Sequence, residues 1–174
     1  MEGLSVKEIL RLFDLLNEEL KSIDIKGELN LVGGAVMCLV YDARASTNDI
    51  DALFKPSRDI REAAEKIAVQ YGYDTSWLND AVKGYLSHNS DFEKYLELSN
   101  LNVYTASPEY LLAMKCLSMR IGEGFEDEND VRYLLRYLNI EKYEQAIEII
   151  TKYYPKEGFP QKTFYALEEI LGND

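Results

Sequence analysis

Two aspartates separated by one residue are the clearest candidates for chemistry in this chain of 174 residues. Because side chains at i and i+2 of a strand share a face, Asp49 and Asp51 should project together while Ile50 points into the core. Two neighbouring carboxylates repel each other unless a cation lies between them. With no His or Cys nearby, the expected cation is a hard one, Mg²⁺ or Mn²⁺. Such ions commonly serve phosphoryl or nucleotidyl transfer.

A Gly-Gly turn precedes these acids, between a predicted strand and a predicted helix. Gly33 and Gly34 have no Cβ, so a phosphate could approach their backbone N–H groups beside the next helix. A phosphate cradle next to a carboxylate pair is typical of a nucleotide site. Neither motif is specific by itself. Gly-Gly also marks turns and tight packing, and Asp-x-Asp also occurs on solvent-facing edge strands and in glycosyltransferases, which are typically longer.

The composition excludes most other side-chain chemistry. The chain has one histidine and two cysteines. His88 lies in the polar stretch Ser-His-Asn-Ser and is predicted to be a solvated loop residue, which leaves little room for Ser-His-Asp catalysis or a His-rich zinc site. Cys38 and Cys116 stand in apolar, helix-like sequence. We expect both to be reduced core residues of a cytoplasmic protein.

The overall charge limits the partners. The chain carries 19 Lys and Arg against 31 Asp and Glu, a net charge of −12. Such a protein is not expected to bind duplex DNA in general, because that binding needs many cationic side chains. A local basic groove for an RNA end or a nucleotide stays open. No apolar run approaches the about 18 residues that a membrane span needs, so no membrane association is expected.

Hydrophobic spacing predicts the elements that must position these residues. A capping box at Ser5 and Glu8 starts a helix over 6–23. Strands are predicted over 29–32, 49–54 and 101–105, with helices over 35–41 and 56–71, while 72–86 is ambiguous.

The second part of the chain is predicted to be entirely helical. Ser107 and Pro108 give a strong helix start, with an N-cap and a proline at the first position. That helix should run to about residue 121, and others follow at about 126–138, 141–154 and 163–171. We therefore predict an α+β core over 1–106 and a helical C-terminal subdomain over 107–174 packed on it.

The combined motif resembles the signature of the DNA polymerase beta-like nucleotidyltransferase superfamily. Its variant here, Gly-Gly-Ala at 33–35 followed by Arg44, Thr47, Asp49 and Asp51, looks like the abortive-infection type IV toxin group and its small relatives. The likeness continues in Ser-Pro-Glu-Tyr-Leu-Leu-Ala-Met-Lys at 107–115 and covers about residues 29–138. It implies a nucleotidyltransferase fold, a small mixed sheet flanked by helices, with a C-terminal helical bundle.

The resemblance also implies roles for individual residues. Asp49 and Asp51 would be catalytic and would hold Mg²⁺ or Mn²⁺. Lys115 and Asp130 would complete the catalytic set, with Lys115 on phosphate oxygens and Asp130 orienting Lys115 or Arg120. The residues that would contact or flank the nucleotide are Gly33, Gly34, Arg44, Thr47, Lys115 and Arg120.

The chain departs from the family at one point. The superfamily usually supplies a third carboxylate from a later strand, and the predicted strand over 101–105 has no acid. Asp80 and Glu97 are the nearest candidates. Trp77, close to Asp80, could stack on a base, or it could be a buried residue at the edge of a loop.

The leading prediction is metal-dependent transfer of a nucleoside monophosphate from an NTP to an acceptor hydroxyl, with release of pyrophosphate. By resemblance the acceptor would be a tRNA 3′ end or a protein. The protein would then be the toxin of a bacterial toxin–antitoxin or phage-defence pair with a cognate antitoxin. One alternative is a catalytically degenerate fold that binds a basic partner. Another is a structural domain whose acids are only solvated.

Overall fold

The computed structural model describes residues 3–172, which separate into two units. The first unit contains 3–84 and 92–106, and the second contains 85–91 and 107–172. The sequence places a division after residue 106, and the structure in addition assigns 85–91 to the helical unit. Residues 1–2 and 173–174, at the outer ends of the two predicted ranges, lie outside the described residues.

The first unit is built on a five-stranded mixed sheet of order β5-β4-β2-β7-β6. β2 pairs antiparallel with β4 and parallel with β7, β4 pairs parallel with β5, and β6 pairs antiparallel with β7. A small antiparallel pair joins β1 to β3. The elements, in chain order, are β1 (Leu4–Ser5), α1 (Val6–Ser22), β2 (Gly27–Val32), α2 (Gly34–Leu39), β3 (Ser46–Thr47), β4 (Ile50–Lys55), α3 (Ser57–Tyr71), β5 (Leu78–Asn79), β6 (Phe92–Glu97) and β7 (Leu101–Ala106).

Local signals account for most of these elements. The Glu8 backbone N–H donates to Ser5 Oγ at 3.2 Å, and the Ser5 N–H donates to Glu8 Oε2 at 3.0 Å, so the predicted capping box starts α1. Gly72 ends α3 in the left-handed conformation. Alternate residues of the central strands form the core, among them Leu29, Leu31, Ile50, Ala52, Leu101 and Val103. The predicted α+β architecture, a small mixed sheet flanked by helices, is confirmed.

The second unit is helical apart from the segment 85–91 and the connections between helices. Its helices are α4 (Pro108–Leu117), α5 (Asp127–Tyr137), α6 (Tyr143–Ile150) and α7 (Gln161–Leu171). Two short 3-10 helices lie in connections: Lys156–Gly158 in this unit, and Ala81–Tyr85 mainly in the first unit. Ser107 caps α4 by accepting the Tyr110 N–H at 3.3 Å, as predicted. Across residues 3–172, no helix has the length and apolar character needed to cross a bilayer.

The segment 85–91 is held by the helical unit through its backbone and side chains. The Ser87 N–H donates to the Tyr110 hydroxyl at 3.1 Å, and Asn89 Nδ2 donates to the Lys152 carbonyl at 2.9 Å. The Tyr154 hydroxyl donates to the carbonyl of Tyr85. At the end of the segment, the carbonyl of residue 91 accepts the N–H of residue 107 at 2.9 Å.

The structure departs from the predicted elements at β6 and at the end of α4. β6 was not predicted, because it is an edge strand with mixed exposure and a bulge between Lys94 and Leu96 that breaks the alternation. The helix expected to run to about 121 ends at Leu117. The Arg120 N–H donates to Asp127 Oδ2 at 3.0 Å, so this donor bonds a side chain and not a helix carbonyl.

Candidate functional site

The paired aspartates lie where β4 begins, in the first unit. Asp51 is in register with Val32 on one side and with Asn79 on the other. Ile50 is fully buried, whereas Asp49 and Asp51 are half-buried, as the alternation predicts. The sequence therefore predicts correctly which of the three side chains is withdrawn into the core and which two stay near solvent.

Gly33 brings the backbone against one of these carboxylates. Its φ of 70° and ψ of −150° are a conformation that residues with a Cβ rarely adopt. A Cβ at this position would lie 2.9 Å from Asp51 Oδ2. The glycine therefore permits both the turn and the close approach of the main chain to the carboxylate.

Gly34 makes a similar close approach to two other side chains. A Cβ at Gly34 would lie 2.6 Å from Thr47 Oγ1 and 2.8 Å from Arg44 Nη1. The Thr47 hydroxyl also donates to the Asp49 carbonyl at 3.2 Å, which fixes the turn that leads into β4. The fold thus brings together a guanidinium, two carboxylates and a glycine turn that the sequence placed in one motif.

Replacing Gly34 with alanine should destabilise the protein by about 2 kcal/mol, because the new methyl group overlaps Thr47 and Arg44 in a buried place. Urea unfolding followed by circular dichroism measures the change. Gly84→Ala is the matched control, because nothing lies within 4 Å of a Cβ at Gly84. Equal unfolding midpoints for the two variants would contradict the close approach at Gly34.

Asn79 contacts the carboxylate pair, although the sequence did not predict it as a site residue. Its Nδ2 donates to Asp49 Oδ2 at 3.1 Å, and its Oδ1 accepts the Ala81 N–H at 3.4 Å. The contact depends on the pairing of β5 with β4. Because β5 has only two residues, no hydrophobic alternation reveals it.

The two candidates for a third carboxylate face other partners. Asp80 Oδ2 lies 2.6 Å from Arg61 Nη2 and 3.2 Å from Lys83 Nζ. Glu97 lies on β6 and pairs with Lys94 at 2.8 Å, and this hydrogen bond lowers the pKa of Glu97. Within residues 3–172, no three His, Cys, Asp or Glu side chains are grouped to hold a metal ion.

Trp77 is a buried structural residue. It is 1% exposed, and its Nε1 donates to the Ala64 carbonyl at 3.0 Å. The alternative of a base-stacking surface is therefore wrong, and the alternative of a buried tryptophan is confirmed. The lone histidine, His88, is exposed as predicted.

Lys115, Arg120 and Asp130 lie in the helical unit, in a network of ion pairs between α4 and α5. Lys115 Nζ is 2.8 Å from Asp130 Oδ2 and 3.5 Å from Asp127 Oδ1. Arg120 Nε is 2.8 Å from Asp127 Oδ2. Lys115 is 8% exposed and Asp130 only 2%, so this lysine is not a solvated surface residue. Asp130 contacts Lys115, one of the two partners predicted for it.

Neighbouring residues stabilise the ionised form of the Asp127 carboxyl group. Burial would raise the pKa of this carboxyl, but the hydrogen bonds from Arg120 and the positive charges of Lys115 and Arg120 outweigh burial and hold the pKa below its usual value. In the same unit, burial raises the pKa of the Cys116 thiol to about 12, so Cys116 stays protonated and is no nucleophile. Cys38 and Cys116 are both buried and form no disulfide bond, as expected.

The donor set around Asp49 suits a hard divalent cation. Asp49 and Asp51 both offer carboxylate oxygens, the ligands that Mg²⁺ and Mn²⁺ prefer. Arg44 beside the glycine turn offers a planar cation that matches phosphate geometry. Chemically, the arrangement fits a phosphate chain and its metal.

Comparisons with known proteins identify a family and a similar solved structure. The family model described as nucleotidyltransferase of unknown function (DUF6036) matches residues 7–164. The crystal structure of an antigenic nucleotidyltransferase-like protein from Paracoccidioides brasiliensis is similar at a TM-score of 0.48 and 14% sequence identity, over 95% of each chain. No curated protein matches the chain.

Proposed function

The chain belongs to this family of nucleotidyltransferases of unknown function, and we propose that it transfers a nucleoside monophosphate from an NTP to an acceptor hydroxyl with the help of Mg²⁺ or Mn²⁺. One observation carries the proposal: the Asp51 carboxylate lies against the Gly33 backbone, while Arg44 lies against Gly34. Carboxylates for a metal and a donor set for phosphate therefore meet at one turn.

The residues divide the work by their chemistry. Asp49 and Asp51 would hold the cation. The cation would neutralise the negative charge that develops on the phosphates. The Arg44 guanidinium would bind phosphate oxygens, since its planar donors match their geometry. Gly33 and Gly34 let the backbone approach the side chains of Asp51 and Arg44 closely, and Thr47 fixes the turn before Asp49.

The reaction breaks a phosphoanhydride bond and forms a phosphate ester bond. The oxygen of the acceptor hydroxyl forms a bond to the α-phosphorus, and the bond from that phosphorus to the oxygen of the β-phosphate breaks. Pyrophosphate leaves with the electron pair, and the hydroxyl proton is released. Positioning and electrostatics, not covalent catalysis, would accelerate this transfer.

The finer assignments come from the resemblance to the abortive-infection type IV toxin group. The acceptor would be a tRNA 3′ end or a protein hydroxyl, and the protein would act as a toxin with a cognate antitoxin. Lys115 and Arg120 would contact phosphate oxygens, with Asp130 orienting Lys115. The 2.8 Å contact between Lys115 and Asp130 is consistent with that positioning role.

A second candidate function is a binding module that lacks catalysis. The observation that favours it is the amide of Asn79 beside Asp49, where another acid would give a third carboxylate. Such a module would bind a basic partner, for which a net charge of −12 is suited. It should bind neither divalent cations nor NTPs well.

Label transfer tests the proposed function. The protein is incubated with each α-labelled NTP, Mg²⁺ or Mn²⁺ and total bacterial tRNA, beside the double variant Asp49→Asn/Asp51→Asn. We expect label on RNA or on protein that disappears in the double variant. Absence of transfer together with no NTP-dependent rise in melting temperature would instead favour the binding module.

A further inference from the structure

Asn79 is the side chain that meets the carboxylate pair from the neighbouring strand. It is in register with Asp51, and Nδ2 donates to Asp49 Oδ2 at 3.1 Å. Its other end accepts the Ala81 N–H at 3.4 Å, so the amide is oriented with its donor toward the acid. Both the nitrogen and the oxygen of the Asn79 amide therefore form hydrogen bonds.

An amide at this position has a defined electrostatic effect. It occupies one acceptor direction of Asp49 and fixes that carboxylate, yet it adds no charge. A carboxylate of the same shape would place a third acid beside Asp49 and Asp51, and the three would repel one another without a cation. The identity of residue 79 thus decides between a site of two carboxylates and a site of three.

The number of carboxylates determines where the cation must find its remaining ligands. Mg²⁺ is commonly held by one or two protein carboxylates together with the phosphates of a substrate, and keeps several waters. Two half-buried acids supply only a part of such a shell.

We propose that Asn79 is a positioning residue that holds Asp49 and keeps the site at two carboxylates, so that the protein takes its divalent cation together with a nucleoside triphosphate and holds it weakly alone. The inference rests on the proposed function, because it assigns the metal–NTP complex as the form of the substrate. Outer partners of metal ligands affect affinity strongly, typically by about 10- to 100-fold.

The test is a titration of the full chain with Mn²⁺ alone, followed by electron paramagnetic resonance of the free ion. We expect weak binding by the native protein and binding that is at least about tenfold tighter by Asn79→Asp. A non-hydrolysable NTP itself binds Mn²⁺, so binding of the Mn²⁺–NTP complex to the protein is measured separately by equilibrium dialysis. The native protein should bind the complex tightly, and Asn79→Ala about tenfold more weakly.

A matched control separates this effect from added charge. Asn129 is exposed and its Nδ2 donates to Glu126 Oε2 at 3.0 Å, so Asn129→Asp makes the same chemical change beside another carboxylate. It should leave Mn²⁺ affinity unchanged. Equal tightening by Asn129→Asp and Asn79→Asp would overturn the proposal, as would tight Mn²⁺ binding by the native protein without nucleotide.

Melting temperatures add a readout that a merely structural role would not give. In EDTA, Asn79→Asp should melt below the native protein, because three acids then repel. Saturating Mn²⁺ should raise its melting temperature more than that of the native protein. If Asn79→Asp does not fold, Asn79→Ala still decides the question, since unchanged affinity for the Mn²⁺–NTP complex would overturn the proposal.

Failure of this inference can be told from failure of the proposed function. Label transfer that depends on Asp49 and Asp51, together with unchanged Mn²⁺ binding in Asn79→Asp, would leave the activity standing and remove the role of Asn79. Tighter Mn²⁺ binding by Asn79→Asp without any label transfer would support the role of Asn79 and count against the activity.

Discussion

Replacing Asp51 with asparagine should lower label transfer by about 1,000-fold, which corresponds to about 4 kcal/mol of transition-state stabilisation. Asparagine keeps the shape of the side chain but removes its charge. A cation held by Asp49 and Asp51 would then lose one of its two anionic ligands. The change is measured as kcat/KM with the most active labelled NTP.

The same variant should stay folded. The place of the side chain against Gly33 depends on its size, which asparagine preserves. Asparagine also keeps an oxygen that accepts hydrogen bonds, so the fold should be retained. Asp14→Asn on the exposed face of α1 is the control, because it removes one charge from the same unit far along the sequence from the site. More than a tenth of native activity in Asp51→Asn would contradict the metal role.

The second large effect concerns the ion pairs of the helical unit. Asp130→Ala should lower the free energy of unfolding by about 3 kcal/mol or more, because it leaves the buried Lys115 ammonium without its nearest partner, at 2.8 Å. Urea unfolding followed by the helical signal in circular dichroism measures the loss. The residual contact with Asp127, at 3.5 Å, should not compensate for it.

Two further variants test whether the loss of stability comes from the buried ion pair. Glu128→Gln on the same helix removes a partly exposed pair with Arg132, and should cost under about 1 kcal/mol. The double variant Lys115→Met/Asp130→Leu should recover most of the lost stability, because apolar side chains need no ionic partner. If that stable double variant keeps full label transfer, the proposed contact of Lys115 with phosphate oxygens is contradicted.

Local chemistry in the sequence was enough to predict much of the first unit. The capping box of Ser5 and Glu8, the buried Ile50 between two half-buried acids, and the glycine turn after β2 all follow from contacts within a few residues. Such short-range rules do not depend on how distant strands pair. The helix start at Ser107 was predictable for the same reason.

The parts that were not predicted depend on distant pairing. Asn79 meets Asp49 only because β5 adds to the sheet beside β4, and a strand of two residues leaves no pattern in the sequence. The neighbouring Asp80 was one of the two predicted candidates for a third acid, but its carboxylate pairs instead with Arg61 and Lys83. A one-residue difference in a short strand decides which side chain faces the site.

Each unit is formed from two separated segments of the chain, and this determines which fragments of the protein can be produced. A fragment that begins at residue 107 would lack Ser87 and Asn89, and so would leave the Tyr110 hydroxyl and the Lys152 carbonyl without these donors. Beginning at residue 85 restores them but also includes β7 without β2, beside which it pairs. No single cut therefore yields either unit whole, and a library that exchanges one unit needs three junctions, after residues 84, 91 and 106.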